Sequence, residues 1–375
     1  MNIPDVVNST DSFLIGSSNL DESYLNATLF QDYDNSSSSF MNNSWNISQE
    51  QGKVYSQLSL VYQVIPKVLA ILGTVGNVLT FIVFLWSKSL RKTALAQFLL
   101  ALAVTDTLLL WLHLLYTLTA SGDLEIRSAV ACKVLVWLTD TVTYVSSWLI
   151  VTVTFNRFIV IVLPLRATRW CQKRNARIAI FVIVSVFSLV SIYNFWAWDD
   201  VFVSKKYYMC KMTRKELIRP RIIMVIVLFS LLPSLTLFTM NGIIMKNLSE
   251  ALSKQAVYRA SFNKQKVKGV QRQLDILLLT LSFSFLILTL PLTLVDIVIF
   301  SMYDDTSVLP RDDIFVRLYM SREILNIFSL TNNCLIFPLY CVSGRKFRGE
   351  LKSVFCRIKL RLEQNVERDP PPDAL

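Results

Sequence analysis

Long apolar runs alternate with short basic or polar segments along most of this 375-residue chain. The runs are continuous in their hydrophobicity, as in Leu274–Leu294. Barrel strands would instead be about 10 residues long with alternating polarity. A helix needs roughly 20 apolar residues to cross the hydrocarbon core. By that measure the pattern predicts helices over residues 61–86, 94–119, 129–162, 177–198, 220–246, 274–302 and 314–341. The seventh carries Arg317, Arg322 and Glu323 in its first half, and its apolar part runs from Ile324 to Val342; without it the chain would have six spans. Lipid offers no partner for free backbone groups, so continuous helices are the expected solution. The expected fold class is therefore an all-α membrane protein, a bundle of seven transmembrane helices.

Composition agrees: 53% of residues are hydrophobic and 17% charged, against about a quarter charged in soluble domains. The charge is distributed with a sense. The first loop holds Lys88, Arg91 and Lys92 with no acid, and Arg157 to Arg177 holds six basic residues and no acid. The loop from Gly242 to Gln273 holds seven basic residues against Glu250 alone. Basic short loops stay cytoplasmic. The expected topology has the N-terminus outside, the C-terminus inside and several passes through the plasma membrane. The net charge of +11 is largely this bias and requires no nucleic-acid partner.

Three regions follow: a disordered extracellular tail over 1–55, the membrane domain over 56–342, and an amphipathic helix with a cytoplasmic tail over 343–375. The first tail is polar and acidic, with little to bury. Its Asn-X-Ser/Thr sites at Asn8, Asn26, Asn35, Asn42 and Asn46 are candidate glycosylation sites. It lacks the apolar core of a cleavable signal, so the first span is expected to direct insertion. Cys132 and Cys210 fall on the outer, oxidising side of this topology and are the natural disulfide pair. Neither CxxC pairs nor histidine clusters suggest a metal centre, and the single histidine, His113, lies in the second span. Nothing resembles an enzyme's catalytic constellation.

Several polar residues sit where lipid should exclude them: Asn77 in the first span, Asp106 in the second, Ser146 and Ser147 in the third, Asn332 and Asn333 in the seventh. An acid at this depth costs at least ~2.5 kcal/mol on insertion scales, so it should face the bundle interior. Two readings stand side by side. The residues glue helices together, or they cradle an ion or water network that rearranges during switching.

In order and spacing, these features resemble the rhodopsin-like (class A) G-protein-coupled receptors, over about residues 60–357. Asn77 matches that family's first-helix asparagine and Leu102…Asp106 its second-helix motif. Cys132 with Cys210 resembles the bond tying the third helix to the second outer loop. Arg157 matches the arginine of the Asp/Glu-Arg-Tyr motif, 25 residues after Cys132. Pro233 and Pro291 match prolines of the fifth and sixth helices, and Phe285 belongs to the same helix network. Phe337-Pro338-Leu339-Tyr340 stands where Asn-Pro-x-x-Tyr is usual. The ending Leu339-Tyr340-Cys341…Gly344-Arg345-Lys346-Phe347-Arg348 resembles invertebrate neuropeptide receptors of the FMRFamide-receptor type. The chain also departs from the pattern. Asn156 replaces the acid before Arg157, Thr289 stands at the usual switch tryptophan, and Asn241 replaces a tyrosine. Ile336 occupies an asparagine position, and the fourth helix lacks its mid-helix tryptophan.

The resemblance implies a cell-surface receptor, an extracellular ligand and a heterotrimeric G protein, with Asn156, Arg157 and Tyr340 at the coupling face. It implies no cofactor beyond a possible sodium ion held by Asp106, Ser146 and Asn332. Candidate ligand contacts are Thr139, Asp140, Asp296, Arg322 and Glu323; the alternative is that the charged ones pair with one another. A long glycosylatable tail and charged outer segments suit a peptide, and a small non-peptide ligand is the alternative. A transporter would need internal repeats, and none is visible. Phe347, Leu351, Val354 and Phe355 form an apolar face suited to an interfacial helix, with Cys356 as a candidate palmitoylation site.

Overall fold

The structure is a computed structural model that describes residues 64–87, 91–120, 124, 128–204, 207–257, 264–302, 313–343 and 347–357. The expected tail over 1–55, with its glycosylation sites, lies outside the described residues. So does the side chain of Asp275, which the sequence places near the inner end of the sixth predicted helix.

Among the described residues, six helices are long and apolar enough to cross a membrane, and a bent pair supplies a seventh. We label them α1 (Val64–Trp86), α2 (Ala94–Ala120), α3 (Ala129–Val162) and α4 (Lys173–Val190). A short helix, Pro164–Trp170, joins α3 to α4. Next, α5 begins at Ile218, passes through a π-helical segment Val225–Leu231 and continues as Leu232–Val257. After it come α6 (Lys264–Met302) and α7, which consists of Asp313–Thr331, a 3-10 turn Asn332–Cys334 and Ile336–Ser343. The last helix, α8, covers 347–357.

The predicted single helix over 314–341 needs one correction, because α7 bends by 51° at its turn. Proline lacks an N–H and its ring clashes with the carbonyl four residues back; for Pro338 that residue is Cys334. The chain tightens at Asn332–Cys334 and restarts at Ile336. By contrast, Pro291 sits inside continuous α6. The π segment of α5 was not legible in the sequence. Its wider turn leaves the Leu228 carbonyl to accept the Trp148 indole N–H of α3 at 2.9 Å.

The centre of the bundle is α3, with 18 buried residues along its length. Lipid contact falls to helices such as α4, in which Ala176 and Phe187 are the buried residues. The missing tryptophan of α4 is offset from α3: the Tyr144 and Trp148 rings pack on Phe187 at 5.6 and 5.8 Å. Gly73 lets α1 approach α2 and α7, since a Cβ there would collide with Leu110 Cδ1 and lie 2.7 Å from Cys334 Sγ. In α8, buried Phe347 and Val354 join the main core while Phe355 is exposed.

At one end of the bundle an antiparallel hairpin, β1 (Trp198–Ser204) and β2 (Tyr207–Met212), covers the helices. From its sequence this segment reads only as a charged outer loop. Its anchor is the disulfide between Cys132 of α3 and Cys210 of β2, packed with Val136, Ala197 and Trp198.

Candidate functional site

Two charged clusters occupy the hairpin end of the bundle. In the first, Asp140 of α3 is saturated: Arg221 Nη2 donates to Oδ1 at 3.1 Å, while Tyr193 Oη and Asn194 Nδ2 donate to Oδ2 at 3.1 and 3.0 Å. The Arg221 guanidinium also lies 5.4 Å from the centroid of the Trp198 ring, within range of a cation–π attraction. Three parts of the chain, α3, the segment after α4 and the start of α5, therefore meet at one carboxylate, and Trp198 of β1 covers the guanidinium. In the second cluster, Arg322 of α7 donates through Nε to Asp296 of α6 at 2.7 Å and through Nη1 to Glu323 at 2.8 Å. Tyr116 of α2 is within electrostatic range of both clusters. Buried His113 lies one turn away, with its Nε2 lacking a hydrogen-bond partner among the described residues.

Of the five ligand candidates, the structure joins Asp296, Arg322 and Glu323 to one another and joins Asp140 to Arg221. Thr139 joins neither cluster through a described hydrogen bond; its hydroxyl donates to the Leu135 carbonyl of its own helix at 2.8 Å. Lys133 of α3 and Asp199 of β1 add a more exposed ion pair of 3.4 Å under the hairpin.

Midway along the bundle, Ser146 donates to Asp106 Oδ1 at 2.6 Å. Asn77 donates to the Asn333 carbonyl at 3.1 Å, a bond that the turn in α7 makes possible. The same turn packs against α2. Asn332 is buried, and its Oδ1 has no partner among the described residues. A carboxylate, a hydroxyl and an unengaged amide oxygen are hard donors suited to a cation such as sodium. Ile336, which follows this turn, is buried and apolar and adds no donor.

At the opposite end, Asn156 and Arg157 are buried near the terminus of α3. A narrow cleft between α3, α5 and α6 is lined by Thr154, Arg157, Asn241, Ile244 and Leu278. Tyr340 of α7 stands behind it, packed against Phe84 and Phe347 at 5.5 and 5.0 Å between ring centroids. Pro233 lies in the first turn after the π segment, and Phe285 of α6 meets Phe229 of α5 edge-on at 6.2 Å.

This order of features, with the disulfide at one end and a buried arginine at the other, can be compared with known families. Residues 76–335 match the family described as 7 transmembrane receptor (rhodopsin family). The chain belongs to the rhodopsin family of seven-transmembrane receptors. No curated protein matches the chain. As a rhodopsin-family receptor it is a multi-pass membrane protein that answers an extracellular ligand and couples to a G protein.

Sequence reasoning missed Arg221, Tyr193 and Asn194 of this receptor. A signal for Arg221 existed: it is a cation inside the apolar run predicted over 220–246, where an unpaired charge is expensive. Tyr193 and Asn194 carried none, since two polar residues near a helix end are ordinary.

Proposed function

We propose that this receptor takes a peptide, with the hairpin end facing outside and the Arg157 end facing the cytoplasm. The observation carrying the peptide reading is the pair of charged clusters beneath the hairpin. Charges of both signs on α3, α5, α6 and α7 are paired with one another there, and a ligand that is itself polar at several points would bind by exchanging into those pairs. The loop charges support the orientation, and in it the tail carrying Asn8, Asn26, Asn35, Asn42 and Asn46 is available for glycosylation.

In this reading the ligand binds the form with an open cytoplasmic face more tightly, and that differential affinity sets the shift in population. Pro291 weakens α6 locally and lets its inner part move. Arg157, with Asn156 and Tyr340 as neighbours, then meets the G protein. Asp106, Ser146 and Asn332 would hold a sodium ion, which supplies a fixed positive charge between α2, α3 and α7 when bound. Cys356, exposed at the end of α8, would carry a palmitoyl chain.

The test is G-protein nucleotide exchange in membranes containing the full chain, screened against a library of amidated neuropeptides and a matched library of small amines and lipids. Activation by a peptide, lost in Arg157→Ala at equal surface expression, supports the reading. Activation by a non-peptide compound alone would overturn the ligand class.

A further inference from the structure

Thr154 of α3 and Ser282 of α6 are both buried, and their hydroxyl oxygens lie 3.0 Å apart. Each hydroxyl also lies within bonding distance of a carbonyl in its own helix, Thr154 to Ile150 at 3.0 Å and Ser282 to Leu278 at 2.9 Å. The pair thus has three available bonds and only two protons to make them. While the cross-helix bond exists, one of the two intrahelical bonds is given up. If α6 moves away, both hydroxyls turn to their own carbonyls and neither is left as a buried unpaired donor. A polar group stranded in this way is what normally makes a buried hydrogen bond costly to break.

We propose that Thr154 and Ser282 form the resting latch of this receptor, a bond between α3 and α6 that biases the closed state and releases without leaving an orphan. This inference rests on the receptor reading above and names how its closed state is held. The position of the latch fits. Thr154 and Leu278, the residue one turn before Ser282, line the same cleft as Arg157 and Asn241. The buried Asn241 amide has no partner for either its N or its O among the described residues. Separation of α6 from α3 would open that cleft and expose both side chains.

The other hydroxyl link of α6 works differently. Ser230 of α5 contacts Thr293, and Thr293 donates to the Thr289 carbonyl at 3.0 Å. Here two protons serve two bonds, so breaking the link takes a bond from Ser230. The link lies on the hairpin side of Pro291, and the latch lies on the other side. Ser282 is nine residues from Pro291, roughly 13 Å along the axis at 1.5 Å per residue. One part of α6 is therefore pinned to α5, and the part beyond the proline is held by a releasable contact.

Bond number is the same in both states, so the latch contributes only the difference between a cross-helix bond and a bent intrahelical one. Its effect should be about threefold on the ratio of open to closed receptor. The experiment uses full-length receptor in nanodiscs, without ligand, carrying spin labels at Leu165→Cys and Val267→Cys on a Cys356→Ser background. Distance distributions between the labels give the two populations. Thr154→Val, Ser282→Ala and the double variant should each raise the open fraction by the same factor, because each removes the same single bond. Thr154→Ser keeps the hydroxyl and should behave as the parent. Unchanged populations in the single variants, or a double variant whose effect is the product of the two, would overturn the latch. Basal nucleotide exchange is measured alongside. A shift in distance without a change in exchange supports the latch and counts against the G-protein reading alone.

Discussion

Asp140 and Arg221 form an ion pair of 3.1 Å that joins α3 to the first turn of α5, with side-chain exposures of 9% and 27%. Removing one member leaves the other charge uncompensated in a largely dry place. Such losses reach roughly 3–5 kcal/mol in fully buried pairs, and partial exposure of Arg221 should bring the cost to the lower end. Asp140→Asn and Arg221→Ala should each lower the melting temperature of the purified receptor. The exchange Asp140→Arg with Arg221→Asp should recover part of it. Thermal unfolding in nanodiscs is the measurement, and equal stability of all variants would remove the pair from the account.

The bond between Cys132 and Cys210 closes a separation of 78 residues and holds the hairpin on α3. Loss of a native disulfide typically costs about 2–5 kcal/mol. Cys132→Ser and Cys210→Ser should reduce surface delivery, measured by labelling intact cells, and the double variant should be no worse than either single one.

Sodium should stabilise the resting receptor through Asp106, Ser146 and Asn332. Replacing choline chloride with sodium chloride at constant ionic strength should raise the melting temperature. Asp106→Asn removes the charge from the donor set and should abolish that rise. A sodium effect that survives in the variant places the ion elsewhere.

At the coupling face, Asn156→Asp restores a negative charge beside Arg157. Charge-assisted hydrogen bonds are about twice as strong as neutral ones, so ligand-free exchange should fall by about fivefold if the new carboxylate engages that arginine. Arg157→Ala should abolish exchange while leaving folding intact, as judged by surface expression. Full coupling by Arg157→Ala would rule this arginine out.

Gly73 has no room for a larger side chain, because Leu110 and Cys334 already occupy the space a Cβ would need. Gly73→Val should destabilise by about 1–3 kcal/mol through overpacking. Gly242, where a Cβ would meet nothing within 4 Å, should accept alanine without loss. Thermal unfolding of the two variants side by side checks the contrast.

The number, order and approximate limits of the helices were determined by the sequence, because a bilayer demands about 20 apolar residues per span and satisfies no backbone group outside a helix. The same logic made Asp106, Asn77 and Asn332 legible, since polar groups at that depth must face inward. The pairing of Cys132 with Cys210 also followed from which side each cysteine occupies. Tertiary structure alone decided which partners these groups take. Asp140 meets Arg221 from a helix 81 residues away, and Thr154 meets Ser282 across 128 residues. No local periodicity records such distances. The π segment of α5 was decided in the same way, whereas the bend of α7 has a local cause in Pro338 and only its contact with Asn77 awaited the fold. Each trades regular helical bonds for contacts with a neighbouring helix, Trp148 in one case and Asn77 in the other, and the chain cannot reveal those contacts until the neighbour is in place.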